Sequence, residues 1–137
     1  MRHQTKKHTL GKAQDQRKAL LRSLATELLT HDEIKTTMAR AKALQPYAEN
    51  LVSLAKKGDL NSRRLAGRYI FDKEIGKLID TESGELFDAP QEGKKLAKQT
   101  VLRRLFSIVG KKYSSRQGGY TRIYRLPPRR GDASEMA

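Results

Sequence analysis

The sequence of 137 residues contains no cysteine and no tryptophan. Without thiols the chain can form neither disulfides nor thiolate zinc sites, which suits a reducing compartment. Aromatic residues are 6% and hydrophobic residues 36%, so any core is small and much of the chain lies at a polar surface. No apolar run approaches the ~18 residues of a membrane span, and nothing near the amino terminus reads as a signal peptide. A soluble protein without membrane contact is expected. His3, His8 and His31 have no carboxylate cluster beside them, so neither a metal site nor a cofactor is expected. Asp59, Asp72 and Glu74 stand at predicted helix starts, where capping explains them, and no Ser-His-Asp arrangement or phosphate-binding glycine loop is present. The reading is therefore of no enzyme and no small-molecule substrate.

Acidic residues are also scarce, and unevenly so. There are 29 Lys and Arg against 15 Asp and Glu, for a formal charge of +14 and a pI near 10.2. Such self-repulsion in a compact chain points to a polyanionic partner, nucleic acid above all. Residues 1–14 hold no acid, but carry Arg2, Lys6, Lys7 and Lys12. Between Glu92 and Asp132 the acids vanish again, while Lys94, Lys95, Lys98, Arg103, Arg104, Lys111, Lys112, Arg116, Arg122, Arg125, Arg129 and Arg130 accumulate. These two stretches form the expected phosphate footprint, with Lys18, Arg22, Arg63 and Arg64 as further expected RNA contacts and His3, His8 and Tyr120 available to stack on or hydrogen-bond nucleotides.

Length predicts one domain, 1–137, with a basic arm over 1–11. Over 15–29, Leu20, Leu21, Leu24, Leu28 and Leu29 recur at helical spacing, with Lys18 and Arg22 one turn apart on the opposite face. Residues 33–37 alternate and include β-branched side chains, which predicts a short strand. A helix over 38–57 follows, kinked at Pro46 and ended by Gly58; a start near Gln45 is the alternative. Asp59 caps a third helix that displays Arg63, Arg64 and Arg68. Asp72 is read as the cap of a short helical continuation through Ile75, Leu78 and Ile79. Residues 80–93 carry Asp80, Glu82, Glu85, Asp88 and Glu92 without a cation, an acidic excursion expected to point away from nucleic acid, with a hairpin turn at Ser83-Gly84. The fourth main helix is predicted over 95–110.

The chain converges on the segment from Tyr113 to Asp132. Gln117-Gly118-Gly119 reads as a turn, because glycine tolerates positive φ. After it, Tyr120, Arg122, Tyr124 and Leu126 alternate with Thr121, Ile123 and Arg125, the pattern of a strand whose faces mix cations with apolar groups. Unpaired arginines do not belong on a buried face. Pro127-Pro128 ends the strand and Arg129-Arg130-Gly131 continues as a loop. The other reading of this stretch is a charged edge strand.

Taken together, M-R-H at the start, R-K-A-L-L-R-S-L from Arg17, I-K-T-T-x-A-R-A-K from Ile34, L-A-K-K-G-D-L from Leu54, R-R-L-A from Arg63, G-G-Y-T-R-I from Gly118 and R-R-G-D from Arg129 resemble the bacterial-type large-subunit ribosomal protein seventeen family. The resemblance spans almost the whole chain. It implies an α+β fold, two-layered, in the order helix-strand-helices-strands, with a small mixed sheet packed on helices. It further implies a non-catalytic structural role on large-subunit rRNA near the polypeptide tunnel exit, beside neighbouring large-subunit proteins of a cytoplasmic or organellar ribosome. The excursion over 80–93 is longer than the family pattern, and the family usually continues past Glu135-Met136-Ala137 into a final apolar strand. A DNA-binding nucleoid or recombination factor, reading through the Arg63 helix, is the competing class.

Overall fold

The computed structural model describes residues 8–80, 85–90 and 95–137. The greater part of the basic arm, with Arg2, His3, Lys6 and Lys7, lies outside the described residues, as does the Ser83-Gly84 turn.

Three helices open the fold as their local signals require. Helix α1 (Gln14–His31) ends at Asp32, whose backbone takes the left-handed conformation and donates its N–H to the Leu28 carbonyl. Helix α2 (Met38–Lys57) runs unbroken through Pro46, so the start near Gln45 does not occur, and left-handed Gly58 closes it. Asp59 caps α3 (Leu60–Tyr69) by accepting the Ser62 N–H at 3.3 Å.

The sheet forms where the sequence reads as helix. Strands β1 (Glu74–Asp80), β2 (Leu86–Phe87) and β3 (Leu96–Thr100) lie in the order β2-β1-β3. Both pairings are antiparallel, so the expected mixed sheet is corrected to an antiparallel one. The predicted helical turn through Ile75, Leu78 and Ile79 is thus a strand. Its spacing imitates a helical stripe because the ladder is irregular between Glu74 and Leu78, around Gly76 at φ +77°. Residues 96–100, read as the beginning of the fourth helix, instead pair with β1. Phe87 pairs with Leu78 and Leu86 with Ile79, so the described part of the acidic excursion runs antiparallel to β1.

The last helix therefore starts later, with α4 (Val101–Arg104), passes through a π-helical stretch (Leu105–Val109) and ends as α5 (Gly110–Lys112). Asp72 does cap a helix, but across space: its carboxylate accepts the Leu102 N–H at 3.1 Å, while Thr100 Oγ1 accepts that of Arg103. Leu51, Ile70, Val101 and Leu105 are the largest fully buried apolar side chains of the core, against which the partly buried Ile75 packs from the sheet. Gly110 lies where α5 crosses α2, and a Cβ built there would stand 2.9 Å from the Ala55 carbonyl oxygen. The result is a mixed α+β fold with a small antiparallel sheet.

The remaining predicted strands, 33–37 and 120–126, acquire no ladder. Each makes an isolated antiparallel bridge to Met136, through Thr37 and Leu126 respectively. The Thr36 and Ala137 backbones exchange hydrogen bonds of 2.7 and 2.8 Å, and Met38 donates to the Glu135 carbonyl.

Candidate nucleic-acid interface

Segment 116–126 is held against the helical body mainly by side chains rather than by sheet bonds. Glu49 of α2 accepts both the Thr121 N–H, at 3.1 Å, and the Thr121 hydroxyl, at 3.0 Å. About two turns further along α2, Lys56 donates to the Arg116 carbonyl at 2.6 Å and to the Tyr120 hydroxyl at 3.2 Å. Tyr120 also donates to the Arg116 carbonyl and packs edge-on against Tyr113, with ring centroids 5.4 Å apart. The Gly118 backbone amide and the Lys56 ammonium together hold its phenol below the usual tyrosine range. Gly118 and Gly119, both at positive φ, make the turn that this clamp closes.

This anchoring decides which side chains remain outward. Thr121 and Ile123 are half-buried, whereas Arg122, Tyr124 and Arg125 are exposed, so the predicted alternation survives from 121 to 124 without a strand. Tyr124, at 67% exposure, offers an open ring, while the Tyr120 ring is occupied inside the protein. Among the described residues, the guanidinium groups of Arg116, Arg122, Arg125 and Arg130 have no acceptor, and all four residues are exposed. Between 33–36 and 120–126 runs a groove of about 820 Å³, with Leu44, Ala48 and Val52 among its lining residues. Charged residues line it as well, among them Lys35, Lys112 and Arg122.

The other expected site residues divide into free and engaged. His8, Lys12, Lys18, Arg63 and Arg64 are exposed, and the Arg63 guanidinium stands 5.2 Å from the Phe106 ring centroid. Arg22 is different. Its Nε and Nη2 donate to the Ile70 carbonyl at 3.0 and 2.9 Å, Nη2 reaches the Gly67 carbonyl at 3.3 Å, and the guanidinium stacks 4.1 Å from the Phe71 ring centroid. It completes the carboxyl-terminal end of α3, so its guanidinium is already engaged within the fold. Arg129 is engaged too: Nη2 meets Asp132 Oδ2 at 2.6 Å and Nε meets Oδ1 at 3.1 Å. Arg104, from the cation-rich stretch, binds the Thr30 carbonyl and the Asp32 carboxylate, joining α4 to the end of α1.

Sequence reasoning missed Glu49 and Lys56 as the residues that shape this surface. Lys56 carries a signal only as a charge complementing a helix terminus, and its real acceptors lie far along the chain. Among the described residues no group of three or more His, Cys, Asp or Glu could hold a metal ion, and no helix is long and apolar enough to cross a membrane.

Residues 20–137 match the family described as Ribosomal protein L17. The chain belongs to that family. The L17 match starts at Leu20 and therefore includes α2, the clamped segment and the basic turn, but not His8, Lys12 or Lys18. Among curated L17 relatives, the chain is 44% identical over 128 residues to the large ribosomal subunit protein bL17 of Staphylococcus carnosus (strain TM300), covering 93% of this chain and 92% of the relative. It is 43% identical over 127 residues to the bL17 protein of Lactiplantibacillus plantarum, covering 93% and 91%, and 40% identical over 128 residues to that of Shouchella clausii, covering 93% and 92%.

Proposed function

We propose that this L17-family chain is a structural, non-catalytic protein of the large ribosomal subunit that holds large-subunit rRNA through the outward face of residues 116–130. The observation that carries the reading is the group of exposed, unpaired guanidiniums of Arg116, Arg122, Arg125 and Arg130 on a segment braced from behind by Glu49 and Lys56. Cations fixed in this way meet phosphates without first losing the freedom of a loop. Recognition is of backbone and shape, since the deep groove of A-form RNA presents little readable sequence, and Tyr124 supplies a face for an unstacked base. Arg63 and Arg64 on α3 provide a second set of phosphate contacts, and the basic arm a third. The resemblance implies a seat near the polypeptide tunnel exit, beside other large-subunit proteins of a cytoplasmic ribosome.

The test is binding of the full chain to protein-free large-subunit rRNA across a salt series, with duplex DNA as competitor. Each duplex phosphate contact contributes about 0.9 to the slope of log affinity against log salt. Replacing Arg122 and Arg125 by Ala lowers that slope if they contact phosphate; an unchanged slope, or preference for duplex DNA at matched salt, refutes the reading. Co-sedimentation with large subunits checks the assembled context.

A further inference from the structure

The turn at 129–134 is braced more closely than its exposure requires. The Arg129 N–H donates to the Ser134 carbonyl and the Ala133 N–H to the Arg129 carbonyl, both at 3.0 Å. Within this loop the Asp132 carboxylate accepts from Arg129 Nε at 3.1 Å and Nη2 at 2.6 Å, and from the Ser134 N–H at 3.2 Å and hydroxyl at 2.7 Å. Arg129 and then Ser134 hold that carboxyl well below the usual carboxylate range. Gly131 at φ +104° and Ala133 at φ +51° occupy left-handed backbone, unfavourable for alanine unless its surroundings impose it. Yet Arg129, Arg130, Gly131 and Asp132 are all exposed and none belongs to the core. An exposed ion pair contributes little to global stability, so what the bracing fixes is the local shape of the turn. At the tip stands Arg130, its guanidinium without an acceptor among the described residues.

We propose that Asp132 is a positioning residue of the RNA interface: by engaging Arg129 and Ser134 it presets the 129–134 turn so that Arg130 meets a phosphate. The inference rests on the RNA-binding reading above. It changes the role expected of Arg129, whose planar fork is already matched by a carboxylate and is not open to bidentate phosphate binding. It also makes a prediction opposite to that from charge alone. An acid beside phosphate repels it, so deleting the acid should strengthen binding; a brace, once deleted, leaves the turn to be ordered at the expense of affinity.

Full-length Asp132→Asn, Arg129→Met and Arg130→Met variants, titrated into protein-free large-subunit rRNA at several salt concentrations, separate these outcomes. Arg130→Met is expected to weaken binding and reduce the salt slope by about 0.9, one phosphate contact. Asp132→Asn and Arg129→Met are expected to weaken binding by roughly fivefold, the effect of ordering one loop, without that slope decrement. The charge-reversed pair Arg129→Asp with Asp132→Arg, which restores an ion pair within the turn, should recover part of the loss. Tighter binding by Asp132→Asn, or the same slope decrement in Arg129→Met as in Arg130→Met, overturns the inference while leaving RNA binding by the wild type intact. Failure of the wild type to bind rRNA with a salt-dependent affinity instead removes the reading on which the inference stands.

Discussion

Replacing Arg22 by Met tests whether a cation counted from sequence as RNA-facing is a structural part of the fold. Methionine keeps much of the apolar stem and removes the guanidinium. The loss includes the charge-assisted contacts to the Ile70 and Gly67 carbonyls and the stacking on Phe71. Hydrogen bonds to charged groups contribute about 1.5–3 kcal/mol each, a helix-terminal cation about 0.3–1 and a partly exposed cation–π pair about 0.5–1. Because Nε and Nη2 share one acceptor and Arg22 is only half-buried, the contributions do not add in full. The expected destabilisation is about 3 kcal/mol, or a fall in Tm of roughly 10 °C for a domain of this size. Arg22→Lys, which keeps the charge but not the fork, should lose about half as much. Thermal unfolding of the free protein, followed by circular dichroism, gives the stability difference. A salt titration of rRNA binding, performed well below the lowered Tm, should show an unchanged slope. A Tm within about 2 °C of wild type, together with a slope reduced by about 0.9, would place the guanidinium on RNA and refute the structural role.

Other substitutions probe separate joints of the molecule. Gly110→Ala forces a Cβ to within 2.9 Å of the Ala55 carbonyl oxygen, so despite the higher helix propensity of alanine it should destabilise by about 1–2 kcal/mol, read as a lower denaturant midpoint with unchanged m. Both amide atoms of Gln99 are buried without a partner among the described residues, so the similarly sized Gln99→Met should raise stability by about 1–2 kcal/mol; a loss of that size would show that the amide is satisfied in solution. Burial pushes the Tyr47 phenol, which donates to the Tyr69 carbonyl, up to about 12 from 10.0. A raised folded-state value means that its contribution is complete below pH 10.0 and is lost as pH rises towards 12, so wild type should lose stability across that window while Tyr47→Phe shows a flatter dependence.

The first helices were legible because their signals are local. The leucine stripe of α1, Gly58 ending α2 and Asp59 opening α3 lie within a few residues of what they control. The sheet was not legible for the opposite reason. Leu96, Ala97, Lys98 and Gln99 all favour helix, and Ile75, Leu78 and Ile79 follow helical spacing, so strand identity arises only when the two segments pair across the intervening excursion. The candidate site shows the same division. Outward cations could be found by counting, but whether a cation is free depends on distant acceptors, such as Ile70 for Arg22 and the Arg116 carbonyl for Lys56. Arg129 was counted with the free cations, and its pairing with Asp132, three positions on, was missed although both partners are local in sequence.

The bridge from Met136 to Thr37 and Leu126 has a kinetic and an energetic consequence. Its first pair joins positions roughly a hundred residues apart, a separation whose closure entropy slows such a contact relative to the local helices. The helical body can therefore assemble while the basic stretch between its last helix and this latch still lacks its final path. Latch closure and capture of a ligand by that stretch are then linked equilibria. A ligand that prefers the closed path favours closure by the same free energy by which closure improves its binding. Mutations at Thr36 or Met136, neither of which carries a charge to offer a phosphate, would consequently register as changes in RNA affinity.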